Sequence, residues 1–246
     1  MSNEQNVRVS VIMIASGTDA GLSRRLESVV SQLGTEDEMI IVACKETAEM
    51  AACAAAHNVN VKTAAAGENY PWNLETALRQ SSGDYIFLAE SCDTWHPSKL
   101  VSCIKALEQG AIAAVHDAVV VDGDLNELVS SLLGYSLRQK SLHGLFQNRS
   151  IGCCMAFRRE LLAVALPFPL PGMSPDRWLW AAARRIGRVV FIDRILMFYC
   201  SHRIAAGRSR VFNTQRKRTD LRELYRASFE LNRRIRLFRD EQYRPK

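Results

Sequence analysis

Apolar, β-branched runs alternate with segments of helical period through the first half of this 246-residue chain. That alternation constrains the fold more than any other feature. Val7 to Ala15 reads as a buried strand, bounded by Ser16-Gly17. Leu22, Leu26, Val29, Val30 and Leu33 follow with helical spacing, and Gly34 stops that helix. Met39 to Ala43 is a second strand, Glu46 to His57 an Ala-rich helix and Val59 to Thr63 a third strand. Asn73 to Gln80 is a helix preceded by Pro71, and Tyr85 to Leu88 a fourth strand after Ser82-Gly83-Asp84. Pro97 to Gln109 is a helix opened by proline and closed by Gly110, and Ala113 to Val121 another strand. Strand–helix alternation implies right-handed crossovers and a mostly parallel sheet with helices on both faces. In such sheets ligands sit beyond the carboxyl ends of the strands, so the segments after Ala15, Ala43 and Leu88 are where chemistry is expected.

The second half is less regular. Gly152 to Phe157 reads as a strand, Arg158 to Val164 as a short helix and Asp176 to Arg185 as a helix after a proline-punctuated loop. Val189 to Ile192 and Ile195 to Ser201 read as two strands joined through Asp193-Arg194. Neither a P-loop nor a dinucleotide-binding glycine fingerprint follows any of these strands. The seven cysteines include no Cys-x-x-Cys pair, and Cys153 and Cys154 are adjacent. They are expected to be reduced core residues in a reducing compartment. Met1 to Val7 is polar and no run of about 18 apolar residues occurs, so neither a signal peptide nor a membrane span is expected. The expected location is cytoplasmic, with peripheral contact to the inner face of the membrane as an option.

The net charge of +6 is unevenly spread: residues 203–246 carry +9 and residues 1–202 carry −3. A domain over 1–202 followed by a basic segment over 203–246 is the expected organisation. Leu221, Leu224, Tyr225, Ser228, Leu231, Ile235 and Phe238 share one side of a helix, with arginines around the rest. Such a helix, within residues 213–240, can lie on an anionic membrane surface, or its apolar stripe can pack on the body or a partner chain, so an oligomer is also open. Nucleic acid is not an expected partner, because the basic residues lack interleaved stacking aromatics and no reader motif occurs.

Three constellations could carry chemistry. Glu90 and Asp93, three residues apart after the fourth strand, can face one cation, or a diphosphate through a cation. Equally, Glu90 can be a solvated loop acid and Asp93 a helix cap. Asp176, in Ser174-Pro175-Asp176-Arg177-Trp178, can act as a general base or simply oppose a helix dipole. His202 closes Tyr199-Cys200-Ser201-His202 and can meet a phosphate or metal, or be structural. His116-Asp117 can be a buried pair or mark an edge turned to solvent.

The order of these pieces resembles family 2 glycosyltransferases. Val9 to Met13 is similar to the family's opening strand, Leu26 to Gln32 to its first helix and Asp37 to Val42 to its second strand. Ser82 to Leu88, followed by Trp95, Pro97, Lys99 and Leu100, resembles the surroundings of the Asp-x-Asp motif. Gly152 to Arg159 looks like the acceptor-side strand of the rhamnosyltransferase-like branch, and Asp176 to Leu179, Phe191 to Asp193 and Tyr199 with His202 complete the pattern. The resemblance covers roughly residues 7–202. It implies a GT-A fold, which is α/β and Rossmann-like, with the basic C-terminal helix added. It also implies inverting, hexosyltransferase-type transfer of a sugar from a nucleoside diphosphate sugar to a hydroxyl of a glycan or lipid-linked acceptor, a cell-surface glycan precursor.

Residue by residue, the resemblance makes Asp176 the catalytic base. It puts Ala15, Ser16, Ala43, Cys44 and Glu90 on the donor side and Gly152, Cys153, Arg177 and Trp178 on the acceptor side. Glu90, Cys92, Asp93 and His202 would be ligands of a divalent metal, manganese or magnesium. Three donor-side motifs depart from the family. Ala15-Ser16-Gly17 replaces Thr-Tyr-Asn, Ala43-Cys44-Lys45-Glu46 replaces Asp-Asp-Gly-Ser, and Glu90-Ser91-Cys92 replaces Asp-x-Asp. Cys92 is a poor ligand for a hard cation. Two alternatives follow: a catalytically impaired relative acting as a binding or scaffold partner, and, more remotely, a nucleotidyltransferase-like enzyme.

Overall fold

Strand β1 (Val9–Ala15) is the organising strand of the sheet, paired in parallel with β2 (Glu38–Ala43) on one side and β4 (Tyr85–Glu90) on the other. The structure is a computed structural model that describes residues 8–15, 22–43, 60–65, 70–132, 152–169, 173–200 and 221–242. Residues Val9 to Met13 and Tyr85 to Ala89 are buried. Both faces of these strands are covered, so they read as continuous apolar runs rather than alternating ones. Strand β3 (Asn60–Ala65) extends the parallel half beyond β2. Helices α1 (Leu22–Val30) and α2 (Tyr70–Gln80) connect these strands in sequence, with Leu22, Leu26, Val29, Leu74, Ala77 and Leu78 buried. The expected helix over 46–57 lies outside the described residues.

Beyond β4 the sheet continues through β8 (Met155–Arg158), β6 (Ala113–Val121), β9 (Val189–Cys200) and the two-residue β5 (Thr94–Trp95). Strand β8 is antiparallel to both β4 and β6, whereas β6 and β9 are parallel. Strand β7 (Glu127–Val129) pairs with β6. Helix α3 (Lys99–Glu108) links β5 to β6. The short α4 (Leu162–Ala165) and then α5 (Pro175–Ile186) follow β8, and α6 (Leu221–Gln242) follows β9.

Two sequence expectations change in detail. The two strands expected around Asp193-Arg194 are one strand. His116 pairs with Ile192 and Asp117 with Ile195, so Asp193-Arg194 is an irregularity within β9. Gly152 to Phe157 is not strand throughout, because its first three residues wind into a 3-10 turn, Gly152–Cys154. His116 is buried on β6, its Nδ1 2.8 Å from the Asp117 carbonyl oxygen. Burial, with Lys99 nearby, pushes its pKa down to about 3, so it is a neutral core histidine. Cys103, Cys153, Cys154 and Cys200 are buried free thiols.

The end of the sheet opposite the strand termini is tied by side chains. Glu38 Oε1 accepts from Ser10 Oγ (2.6 Å) and from the Ser82 N–H (2.5 Å) and Oγ (2.8 Å). Ser10 Oγ accepts from the Gly83 N–H at 2.8 Å. This packs the Ser82-Gly83 turn directly on the β1 backbone.

Helix α6 buries Ala227, Leu231 and Ile235 in the same apolar core as the sheet. Arg185 at the end of α5 donates to Asn232 Oδ1 (2.8 Å) and Ser228 Oγ (3.1 Å). Arg234 donates to the Pro167 carbonyl (2.6 Å) and lies 5.3 Å from the Trp178 ring centre. Of the three placements open to the apolar stripe, packing on the body is observed for Leu231 and Ile235, whereas Tyr225 of that stripe is exposed. Among the described residues, no helix is long and apolar enough to cross a membrane.

A Cβ on Gly83 would lie 2.5 Å from the Ser10 nitrogen and 2.6 Å from the Val9 carbonyl carbon. Backbone cannot yield as a side-chain tip does, so Gly83→Ala is expected to destabilise the fold by about 1–3 kcal/mol, measured by chemical denaturation.

Candidate active site

The parallel register brings the carboxyl ends of four strands level. Ala15 pairs with Ala43 and Ala43 with Ala65, while Ile14 pairs with Glu90. The donor-side positions Ala15, Ala43 and Glu90 therefore share one edge, as their sequence placement requires. Ser16, Cys44 and His202 lie outside the described residues.

Asp93 follows Glu90 in the tight segment between β4 and β5, and it is completely buried. The Cys200 N–H donates to its Oδ1 at 3.3 Å, and Oδ2 has no hydrogen-bond partner among the described residues. Burial raises the Asp93 pKa, and the nearby Glu90 charge raises it further. The Cys153 thiol, the Lys99 ammonium and the Cys200 N–H oppose this. Glu90 is half-buried, and burial raises its pKa too. Two carboxyls in one poorly hydrated place resist simultaneous ionisation, and a cation between them relieves that. Glu90 and Asp93 are hard oxygen donors and would fit a divalent ion, though they supply too few ligands to hold it alone. Cys92 does not fit that ion. Its Sγ lies 3.7 Å from the Cys200 carbonyl and 4.0 Å from Glu90 Oε2, and burial with the neighbouring acids pushes its thiol far up, keeping it protonated. Among the described residues, no group of three or more His, Cys, Asp or Glu could by itself hold a metal.

Asp176 sits in the first turn of α5, with Pro175 at the helix start and Ser174 extended before it. Proline there fixes the entry of the helix at no hydrogen-bond cost. The carboxylate faces the Gly152–Cys154 turn: a Cβ on Gly152 would lie 2.5 Å from Asp176 Oδ1. Burial raises the Asp176 pKa to about 7, with Glu90 adding to the rise and the Gly152 N–H, which donates to it, opposing. A carboxyl poised near neutrality is suited to general-base work.

The expected acceptor-side residues divide. Gly152 touches Asp176, and Arg177 is half-buried beside it. Trp178 is instead wholly buried and donates from Nε1 to the Ala165 carbonyl at 2.7 Å, so it packs and presents no surface to an acceptor. Cys153 is also turned inward, because the strand it was expected to start is a 3-10 turn at that point.

Three further residues stand at the site: Tyr70, which was not named from the sequence, and Tyr199 and Lys99, which were named there within family-like segments without a role. The Tyr70 side chain at the start of α2 is 37% exposed, and its phenol pKa is raised by partial burial first, and then by Asp176 and Glu90. Tyr199 on β9 is raised by burial and by Glu90. Lys99 is fully buried at the start of α3. The one sequence signal for Tyr70 is its place before Pro71, whereas Lys99 and Tyr199 stand in segments that carry the family resemblance.

The chain matches the family model described as "Glycosyl transferase family 2" over residues 10–164. A search of curated proteins returns no match. Among solved structures, it is similar to TarS 1-349 of S. aureus, crystallised with UDP-GlcNAc. That match has a TM-score of 0.60 at 15% identity and covers 79% of this chain and 59% of that one. It is also similar to the mannosyltransferase PcManGT of Pyrobaculum calidifontis, in complex with GDP-Man and Mn2+, with a TM-score of 0.55 at 16% identity over 77% of this chain and 56% of that one. A third similar structure is glucosyl-3-phosphoglycerate synthase of Mycobacterium tuberculosis, in complex with Mn2+, UDP and glucosyl-3-phosphoglycerate. It gives a TM-score of 0.54 at 17% identity over 82% of this chain and 75% of that one. The chain thus spans about three fifths of the TarS structure, and these likenesses establish the fold.

Gly152→Ala is expected to push the Asp176 carboxylate off its N–H donor. Stability should fall by about 1–3 kcal/mol by chemical denaturation. Asp176 should then titrate above its value of about 7, measured by carboxyl carbon NMR.

Proposed function

Because the chain belongs to glycosyl transferase family 2, we propose that it moves a sugar from a nucleoside diphosphate sugar to a hydroxyl of a glycan or lipid-linked acceptor, with inversion. The observation that carries this reading is Asp176, held against Gly152 at the same sheet edge as Glu90 with its pKa raised to about 7. In this mechanism Asp176 takes the acceptor hydroxyl proton as that oxygen attacks the anomeric carbon. The bond from the anomeric carbon to the phosphate oxygen breaks, and the nucleoside diphosphate leaves with the electron pair. A divalent cation, manganese or magnesium, would supply positive charge toward the departing diphosphate, with Glu90 and Asp93 holding it and His202 a further proposed ligand. The Gly152–Arg159 segment supports placing the chain in the rhamnosyltransferase-like branch.

A donor panel with manganese tests the reading. Asp176→Asn is expected to lower sugar transfer by about 10²–10⁴-fold while donor binding by calorimetry stays. Transfer that survives the substitution would remove Asp176 as the base. Since the base works ionised, wild-type kcat/KM should fall as pH drops through about 7 and level off above it. The neutral Cys92 thiol in the Asp-x-Asp position favours a second reading, a relative that binds donors without turning them over. Donor binding with no released nucleoside diphosphate would support that second reading.

Peripheral membrane contact is proposed for the outward face of α6. Tyr225 and Phe229 are 75% and 64% exposed there, beside exposed Arg226 and Arg236. Exposed aromatics among arginines suit the headgroup layer of anionic lipid. Co-sedimentation with vesicles containing phosphatidylglycerol, and not with pure phosphatidylcholine, is expected. It should weaken in Arg226→Ala/Arg236→Ala.

A further inference from the structure

We propose that the buried Lys99 ammonium is a positioning group for the reaction: it holds the Gly152–Cys154 turn in place and, through that turn, sets where the Asp176 carboxylate stands. The inference rests on the transferase reading above and adds a residue to it.

Lys99 begins helix α3, where a lysine would ordinarily extend into water, yet it is completely buried. Its Nζ donates to the Cys153 carbonyl at 2.7 Å and approaches Met197 Sδ at 3.5 Å. The ammonium also lies 3.8 Å from the centre of the Trp95 ring, within cation–π range. Burial pulls the Lys99 pKa down, and the Asp93 charge opposes that by favouring the ammonium. Neutral His116 adds no competing charge.

Removing an ammonium from water is costly, and an apolar side chain of similar length would fill the same space more cheaply. What the charge gains is a grip on one particular carbonyl. That carbonyl belongs to the three-residue turn that contacts both halves of the site. In that turn the Cys153 thiol interacts with Asp93, and the Gly152 N–H donates to Asp176. Gly152 is also the residue whose missing side chain makes room for Asp176 Oδ1. Lys99 is therefore one link from the acids of the β4–β5 segment and two links from the base. It touches neither substrate nor reacting atoms. Its action is on the distance between the proton acceptor and the donor acids, where misplacement by about 1 Å can cost roughly 10²-fold in rate.

Lys99→Met keeps the length and removes the charge. The expected result is a roughly 10²-fold lower kcat. Donor KM should stay within about threefold, on the argument that Lys99 contributes to turnover geometry and not to uniform binding. Loosening the Gly152 N–H from Asp176 should also raise the acidic limb of the pH–kcat profile. A folded variant with wild-type kcat and an unmoved limb would overturn the proposal. Trp95→Leu is the second probe, since it keeps the charge and removes its aromatic seat. A several-fold kcat loss at unchanged donor KM is expected there, and wild-type kcat would overturn the proposal if Lys99→Met does not fold. A wild type inactive on every donor would count against the transferase reading instead. The positioning claim is then read from carboxyl carbon NMR of Asp176 in wild type and Trp95→Leu. An upward shift of its titration supports the claim, and an unchanged titration overturns it.

Discussion

The parallel pairing of β1 with β2 and β4 is the constraint on which the rest of the molecule depends. Backbone hydrogen bonds hold Ala15 level with Ala43, and Ile14 level with Glu90. A slip of one residue would swap the faces on which these buried side chains pack, so the fit of the core on both faces holds the register. The lock is reinforced at the far end, where Glu38, Ser10 and Ser82 form one hydrogen-bonded knot against Gly83. With that end tied, the site end cannot drift, and the segment carrying Glu90 and Asp93 emerges beside the positions that follow β1 and β2.

Charge at the site is arranged by burial more than by pairing. Asp93 and Asp176 both have burial as the first cause of their raised pKa and Glu90 as the second. Three carboxyls with little water between them prefer to hold protons or to share a cation. One cation, Lys99, is built into the protein and reaches the Cys153 carbonyl rather than the proposed metal-binding oxygens. The remaining capacity for positive charge lies at Glu90 and at Asp93 Oδ2, which has no hydrogen-bond partner among the described residues.

The site was legible in the sequence where a residue's role follows from its place on a strand or helix end. Glu90 at the end of β4 and Asp176 in the first turn of α5 are of that kind, because strand ends and proline-started helices can be read from local pattern. Trp178, which only the resemblance put on the acceptor side, packs in the core. Helical spacing puts it near Asp176 in the chain, but Arg234 on α6 and the Ala165 carbonyl draw it into the core. Cys153 was misread because a 3-10 turn and a strand look alike in three apolar residues. Tyr70 and Tyr199 join the site from α2 and β9, elements far from Asp176 in the chain, so their approach to its acids could not be read locally.

The basic tail illustrates the same division. Its charge and its amphipathic period are properties of the sequence alone, as are the α/β alternation and the strand ends that point to the site. Which face of α6 meets the body depended on tertiary contacts. Leu231 and Ile235 find the core, Arg185 and Arg234 tie the helix down, and Tyr225 and Phe229 are left outside. Likewise the sequence determined that Asp176, Gly152 and Lys99 exist at the starts of local elements. Only the folded chain decided that a glycine gap admits the carboxylate and a buried ammonium holds the turn. Periodicity is a short-range property of the backbone, whereas burial and close approach arise from segments far apart in the chain that compete for the same space.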